Sequence, residues 1–286
     1  MRYWLVIGLS LLSGLAYATP KVTIVASAFV LEHKFEQLRA IATAQDVQLE
    51  VLRPDIHTQK NQVLQQLNSS DLVILDAPRP NDSERVTEYL ADMAWQRQQP
   101  WMQVGGGRPQ YDGLPKELAQ FWLDYYAYGG VENMQQLFAS LVKHSKNQPV
   151  LTLPESKKIP LQGIYHPQAE QFFTELEDYI TWAEQRYTAP RALVAFAINE
   201  QQISDMQTSA IDELIQRSEA QGLLPVVFWF DSEQATVLTD FFAKHKPRVL
   251  INMQHMQNGN ARLQEFAALN IPVLQTLTYR DGNEQQ

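Results

Sequence analysis

Two short runs limit what this chain can fold into. Leu72 to Leu75 and Val226 to Phe230 are apolar at every position. A strand with one wet face alternates apolar and polar residues, whereas a strand covered on both faces by helices does not alternate. Such runs therefore predict parallel sheet in each half of the chain. The stretches around them agree. Val22–Ala26, Gln48–Leu52 and Trp101–Val104 read as further strands of the first half. Between them, helical spacing recurs in Leu31/Phe35/Leu38/Ala42, in Val63/Leu64/Leu67 and in Val86/Leu90/Met93. The second half repeats the pattern, with strands at Leu193–Ile198, Val226–Phe230, Val249–Asn252 and Val273–Leu274. Its predicted helices cover Asp205–Ala220, the residues after Asp231 and Ala261–Leu269. Strands alternating with helices at this spacing imply βαβ units. The expected fold class is α/β, with two flavodoxin-like open parallel-sheet units joined by a helical segment.

The joining region has its own signals. Lys116–Tyr126 and Val131–His144 read as two helices meeting at Gly129-Gly130, which would supply the left-handed geometry of a helix end. Asn133 would brace that turn or reach a ligand. Pro149, Pro154 and Pro160 mark a polar connector. After it comes Gln162-Gly163-Ile164-Tyr165-His166-Pro167, then a stripe of Phe172, Leu176, Tyr179, Ile180 and Ala183. Pro167 biases His166 toward extended geometry and suits a first helical turn. His166 is therefore expected at or just before a helix N-terminus. There it either helps cap a packed helix or presents a neutral imidazole to a ligand or metal.

Several function classes are disfavoured. The formal charge of −9 argues against a nucleic-acid groove, which needs clustered Lys and Arg. Cysteine is absent and the six histidines are scattered, so no recognisable closed metal site is offered. Walker, Rossmann and nucleophile-elbow motifs are also missing. Gly105-Gly106-Gly107 runs into Arg108-Pro109 and then Tyr111-Asp112-Gly113, an irregular loop rather than a helix, and reads as a turn rather than a phosphate cradle. His33 reads as solvated, and His144 and His245 as helix-end residues. His255, Asp76 and Asp231 follow predicted strands, where open αβ sheets bind ligands. Asp231 with Gln234 also forms a capping-box pattern, and His255 also fits a plain surface loop.

Residues 1–18 carry Arg2, an apolar run from Trp4 to Leu15, and Ala16-Tyr17-Ala18. This is the pattern of a secretory signal cleaved after Ala18. Removal takes away one basic residue and moves the charge from −9 to −10. The mature protein is expected in the periplasm or secreted, without a later membrane span. The expected organisation is a signal peptide at 1–18, a first αβ domain at 19–107 and a helical segment at 108–146, then a connector and central helix at 147–190 and a second αβ domain at 191–286.

Gly163-Ile164-Tyr165-His166-Pro167 with its aromatic helix resembles the large-subunit family of cobaltochelatase (CobN type) and magnesium chelatase (H type). Tyr128-Gly129-Gly130-Val131-Glu132-Asn133, followed by Leu137 and Leu141, is similar to that family's Tyr-Gly-Gly-x-x-Asn segment. The resemblance extends over most of Lys21 to the C-terminus. Ala197-Ile198-Asn199-Glu200 departs from it, where a Tyr- or Arg-bearing segment is expected. Family members are several times longer, so the chain matches their N-terminal part. The resemblance implies a tetrapyrrole or corrinoid as substrate, for metal insertion or removal, with a divalent metal as co-substrate and no resident cofactor evident. It also implies chelatase or uptake components as partners. Cytoplasmic relatives use ATP-driven motors, and an exported protein has no free ATP, so any exchange here would be ATP-independent. Ligand-binding residues carried over or selected are Tyr128, Gly129, Gly130, Asn133, Tyr165, His166 and His255, and the catalytic groups are expected outside this segment. Trp101, Tyr111, Trp122, Tyr125, Tyr126, Tyr128 and Tyr165 would either stack on a flat macrocycle or pack the core. The alternative reading is a periplasmic two-lobed solute-binding or sensor protein without catalysis.

Overall fold

The computed structural model describes residues 18–187, 191–231, 233–256 and 258–276. The expected signal segment therefore lies, except for Ala18, outside the described residues. The first half contains β1 (Lys21–Ala26), α1 (Glu32–Ala44), β2 (Gln48–Leu52), α2 (Lys60–Asn68), β3 (Leu72–Asp76), α3 (Pro80–Asp92), β4 (Trp101–Val104) and β5 (Gln110–Asp112). Helices α4 (Lys116–Tyr128) and α5 (Val131–Ser145) follow. Next come β6 (Gly163–Tyr165), α6 (Leu176–Glu184), β7 (Ala192–Ala197), α7 (Gln201–Ser204), α8 (Ser209–Ala220) and β8 (Leu223–Trp229). The last described elements are α9 (Val237–Phe241), β9 (Leu250–Asn252), α10 (Gly259–Leu269) and β10 (Val273–Gln275).

Two compact units result. The first gathers the described residues up to Leu31, then Leu38–Asp124 and Met134–Glu155. Its sheet runs β2-β1-β3-β4-β5. The first four strands are parallel, in flavodoxin-like order, with Val25 beside both Leu52 and Leu75. β3 is buried at all its positions, as its unbroken apolar run requires. Val25, Val73 and Leu75 pack with Val63, Val86 and Leu90 of α2 and α3. Within this unit the Trp122 indole N–H donates to Ser140 Oγ at 2.7 Å, which ties α4 to α5.

The second unit contains Glu32–Gln37, Tyr125–Asn133 and the described residues from Ser156 onward. Its sheet runs β10-β9-β7-β8-β6, again with parallel strands in the flavodoxin-like order and one antiparallel edge strand. The pleat sends successive β7 side chains to opposite faces. Leu193, Ala195 and Ala197 join Leu176, Tyr179, Leu238 and Phe242 on one face. Val194, Phe196 and Ile198 join Ile211 and Ile215 of α8 on the other. Each fully buried aliphatic chain here contributes about 1.5–3 kcal/mol, so both apolar faces are needed.

Four expectations are corrected. Tyr111 and Asp112, expected in an irregular loop, belong to β5, the edge strand, because Gln110–Asp112 pairs antiparallel with Trp101–Gln103 of β4. Gly163–Tyr165, expected to lead directly into a helix, is β6 and pairs with Val227–Trp229. His166 therefore follows a strand, and α6 begins only at Leu176. Glycine at 163 is required by packing: a Cβ there would lie 2.3 Å from Cζ2 of the buried Trp229 ring. The helix expected over Asp205–Ala220 begins only at Ser209, as α8, because Met206 is left-handed at φ 57° and separates it from the short α7. Asp231 does not start a long helix: it accepts from Glu233 N at 3.0 Å and Gln234 Nε2 at 3.2 Å, and α9 spans only Val237–Phe241. Ser232, which follows Asp231 at the expected helix start, lies outside the described residues.

Candidate functional site

The turn between α4 and α5 shows how local sequence builds the site. Gly129 and Gly130 both have positive φ, 63° and 78°. They end α4 and let the backbone come close enough for Gly130 N to donate to Ser204 O at 2.8 Å. Asn133 fixes the turn from the first turn of α5. Its Nδ2 donates to Gly129 O at 2.8 Å and to Lys157 O at 2.7 Å, and its Oδ1 accepts from Lys157 N at 2.9 Å. Asn133 is buried and its amide is committed to bracing. It therefore holds the helix turn against the incoming segment at Lys157.

Beside this turn lies a cavity of about 510 Å³, whose lining residues all belong to the second unit. Gly129, Gly130 and Asn133 form one wall, Tyr165, His166 and Phe172 another, and Ile203, Met206 and Asp212 a third. Lys157 and Lys158 stand at its polar side. The first turns of α5 and α8 contribute Val131, Glu132, Ser209 and Asp212, so two positive helix ends open on the same space.

The last residue of β6, Tyr165, and the next, His166, are held by side chains at α8 and just before it. The Tyr165 hydroxyl donates to Asp212 Oδ1 at 2.8 Å, and Thr208 Oγ1 donates to Oδ2 at 3.2 Å. Burial, followed by the Asp212 charge, pushes the Tyr165 phenol far above its usual range, so it stays protonated and donating. His166 has both ring nitrogens occupied. Gln168 N donates to Nδ1 at 3.2 Å, which places the proton on Nε2, facing Glu219 Oε1 at 3.2 Å. Glu219 also accepts from the Tyr187 hydroxyl. Burial lowers the His166 pKa, outweighing the opposing pull of Glu219. The result is a neutral imidazole with a fixed tautomer. It shapes the wall and braces the loop after β6, and in this arrangement it has no free nitrogen for a metal.

The structure thus brings five of the seven sequence-selected residues to one cavity: Gly129, Gly130, Asn133, Tyr165 and His166. Tyr128 lines a neighbouring hollow of about 510 Å³ with Glu200 and Asp231, and the Lys158 ammonium lies 5.0 Å from its ring centre. Burial, then the charge of Asp205, raises the Glu200 pKa. His255 is exposed after β9 and is not a lining residue of either hollow. Trp101, Trp122, Tyr125 and Tyr126 are buried core residues, and Tyr111 stands exposed on β5. His33, read as solvated, reaches the cavity from the first turn of α1. Phe172, Ile203, Met206, Asp212 and the two lysines were not selected from sequence. Phe172 belongs to the stripe whose spacing predicts a helix, and the others lie on segments separated in sequence that the fold brings together.

Asp76 closes β3 and is buried. Gly105 and Gly106 have positive φ, and a Cβ at Gly105 would lie 2.6 Å from Ala77 O, so this turn is a close backbone approach. Among the described residues, no group of three or more His, Asp or Glu side chains could hold a metal ion. No helix among them is long and apolar enough to cross a membrane.

No curated protein matches the chain. Among solved structures, the catalytic subunit of cobaltochelatase from Mycobacterium tuberculosis aligns with a TM-score of 0.57 at 13% identity. The alignment covers 91% of this chain and 21% of that one, so the chain spans about a fifth of that subunit's length and the likeness shows the fold. An L-Trp-bound ABC domain from Streptococcus pneumonia aligns at a TM-score of 0.27 and 9% identity, over 91% of this chain and 75% of that one. That score is too low to support any inference. Residues 123–286 match the family CobN/Magnesium Chelatase, and that span contains both the Tyr-Gly-Gly-x-x-Asn segment and the Tyr-His-Pro segment. The chain belongs to the CobN/magnesium chelatase family.

Proposed function

We propose that this chain is the tetrapyrrole- or corrinoid-binding N-terminal part of a CobN-like large subunit, acting outside the cytoplasm in metal insertion or removal. The observation that carries the proposal is the single cavity that gathers residues of both family segments. Its volume of about 510 Å³ lies within the ligand-site range of about 300–1,000 Å³. Tyr165 and Phe172 supply aromatic surface for a flat ring, and Ile203 and Met206 supply apolar contact. Lys157, Lys158 and the two helix ends suit peripheral carboxylates. His166 acts as a positioning group for this wall rather than as a metal ligand. Gly129, Gly130 and Asn133 shape the opposite side, Tyr128 belongs to the proposal from the neighbouring hollow, and His255 only as a contact from the loop after β9. The export pattern of residues 1–18 supports the location, and other chelatase or uptake components would be the partners.

The test is a titration of the purified mature protein with free-base, iron and cobalt macrocycles, followed by the Soret band. A saturable shift is expected. Met206→Glu, which places a charge in the cavity, should weaken it about tenfold or more. Absence of a spectral change with all three forms would overturn the proposal, as would an unchanged titration in Met206→Glu.

A further inference from the structure

The larger concavity of the second unit lies elsewhere. A groove of about 850 Å³ opens at the amino-terminal ends of the parallel strands. Ala192 and Leu193 begin β7, Leu224 lies near the start of β8, Arg248 precedes β9 and Pro272 precedes β10. Ligands of open αβ sheets ordinarily bind at the other, carboxyl ends, so the fold rule gives no reason for this groove. Its charge is also unlike that of the chain. Arg191, Lys244, Lys246 and Arg248 line it with His245, against one lining acid, Glu184, in a protein of net charge −9.

Helix-end carbonyls account for part of this charge. The amino ends of the strands lie where the preceding helices finish, and cations are favoured there. Arg191 Nη1 donates to Glu219 O at 2.8 Å and Leu223 O at 3.3 Å, and Lys246 donates to Leu269 O at 3.2 Å. Lys244 pairs with Glu177 at 2.7 Å. Arg248 is exposed and its guanidinium has no such partner among the described residues. Arg191 uses one nitrogen in capping, and the Tyr187 ring, 3.8 Å from its guanidinium carbon, holds the plane in place. It keeps further donors on a pre-organised fork. The floor between the cations is apolar, formed by Ile180, Ala183, Leu193, Leu224 and Ile271.

The geometry points to a second binding site in this groove, for an amphipathic small molecule with an apolar body and two or more anionic groups. The apolar floor takes the body, and Arg191 and Arg248 take anionic groups by charge-assisted hydrogen bonds. The volume is that of a small-molecule site, again inside about 300–1,000 Å³. The inference does not depend on what occupies the Tyr165 cavity.

The experiment is fluorescence anisotropy of pyrene-1,3,6,8-tetrasulfonate with the full mature chain. Saturable binding that weakens with added salt is expected. Arg248→Gln should weaken it about tenfold, the loss of one charge-assisted hydrogen bond, and Arg248→Glu by more. Because Arg248 is exposed and its side chain has no hydrogen-bond or ion-pair partner among the described residues, both variants should keep the wild-type circular dichroism. Met206→Glu, in the other cavity, should leave binding unchanged. Equal binding of a trimethylammonium pyrene would overturn the inference, as would unchanged affinity in Arg248→Glu or loss of binding in Met206→Glu. A chain that binds the tetrasulfonate here but no macrocycle would sink the proposed function and leave this site standing.

Discussion

Gly129 and Gly130 are neighbours with nearly the same backbone geometry, yet their alanine variants should differ several-fold. Both have positive φ, where an L side chain costs about 1–2 kcal/mol, offset by about 0.4–1 kcal/mol from a stiffer unfolded chain. At Gly130 nothing lies within 4 Å of the added Cβ. Gly130→Ala should therefore cost about 1 kcal/mol. At Gly129 the Cβ would fall 2.2 Å from Ser204 O and 2.8 Å from Ser204 C. Those are backbone atoms, so no rotamer change relieves the clash. The α7 turn must withdraw, which adds about 1–3 kcal/mol of overpacking and about 1 kcal/mol for the Gly130 N to Ser204 O bond. Gly129→Ala should therefore cost about 3–5 kcal/mol. Urea denaturation compares the two at unchanged m-value. Hydrogen exchange adds a local readout, because the Gly130 amide should lose protection in Gly129→Ala. Equal losses for the two variants would refute the claim that close backbone approach, rather than dihedral preference, requires glycine at 129.

Other consequences can be measured separately. Asn133→Ala leaves Gly129 O, Lys157 O and Lys157 N without their partner, and should cost about 2–4 kcal/mol in denaturant titration. Asn133→Asp should not rescue it, because a carboxylate would face two carbonyl oxygens; wild-type stability in Asn133→Asp would contradict this. Gly163→Ala drives a methyl into the Trp229 indole, which is held by its N–H donating to Pro160 O at 2.7 Å, and should cost about 2–4 kcal/mol; a loss below about 1 kcal/mol would show that the ring can give way. His166 contributes a pH dependence. Its folded pKa lies below the unfolded value of about 6.5, so the unfolded state takes up a proton first as pH falls. Stability is full above that value and declines as pH drops from there toward the lowered folded value. His166→Gln should flatten this part of the profile, and an unchanged slope would count against a buried neutral imidazole.

Much of the architecture was legible because its signals are short-range. The unbroken apolar run of β3 declared a strand covered on both faces. The alternation within β7 is hidden in sequence, since both faces are apolar, but the strand itself was clear. Gly129-Gly130 announced a helix end, and Asn133 was more naturally a brace than a contact; the backbone dihedrals and hydrogen bonds agree. The Tyr-His-Pro segment was harder. Proline after histidine argued for a helix start, and the aromatic stripe strengthened that view. What decided otherwise was the free edge of β8, which recruited Gly163–Tyr165 as a strand, and an isolated bridge from Ile164 to Phe173 closed the loop between them. No local spacing encodes a partner more than sixty residues away.

The sequence by itself determined the α/β class, the two repeated strand–helix series, the glycine turn and the family. Each depends on residue type and spacing within a few turns of chain, where periodicity and backbone preference act directly. Tertiary structure alone decided that Lys157, Phe172, Met206 and Asp212 share a cavity with Tyr165, that His166 has both nitrogens occupied, and that scattered cations meet at the amino ends of the strands. Those outcomes depend on which distant segments pair and which side chains lose water together. Such choices are made by packing across the sheet rather than by neighbours along the chain.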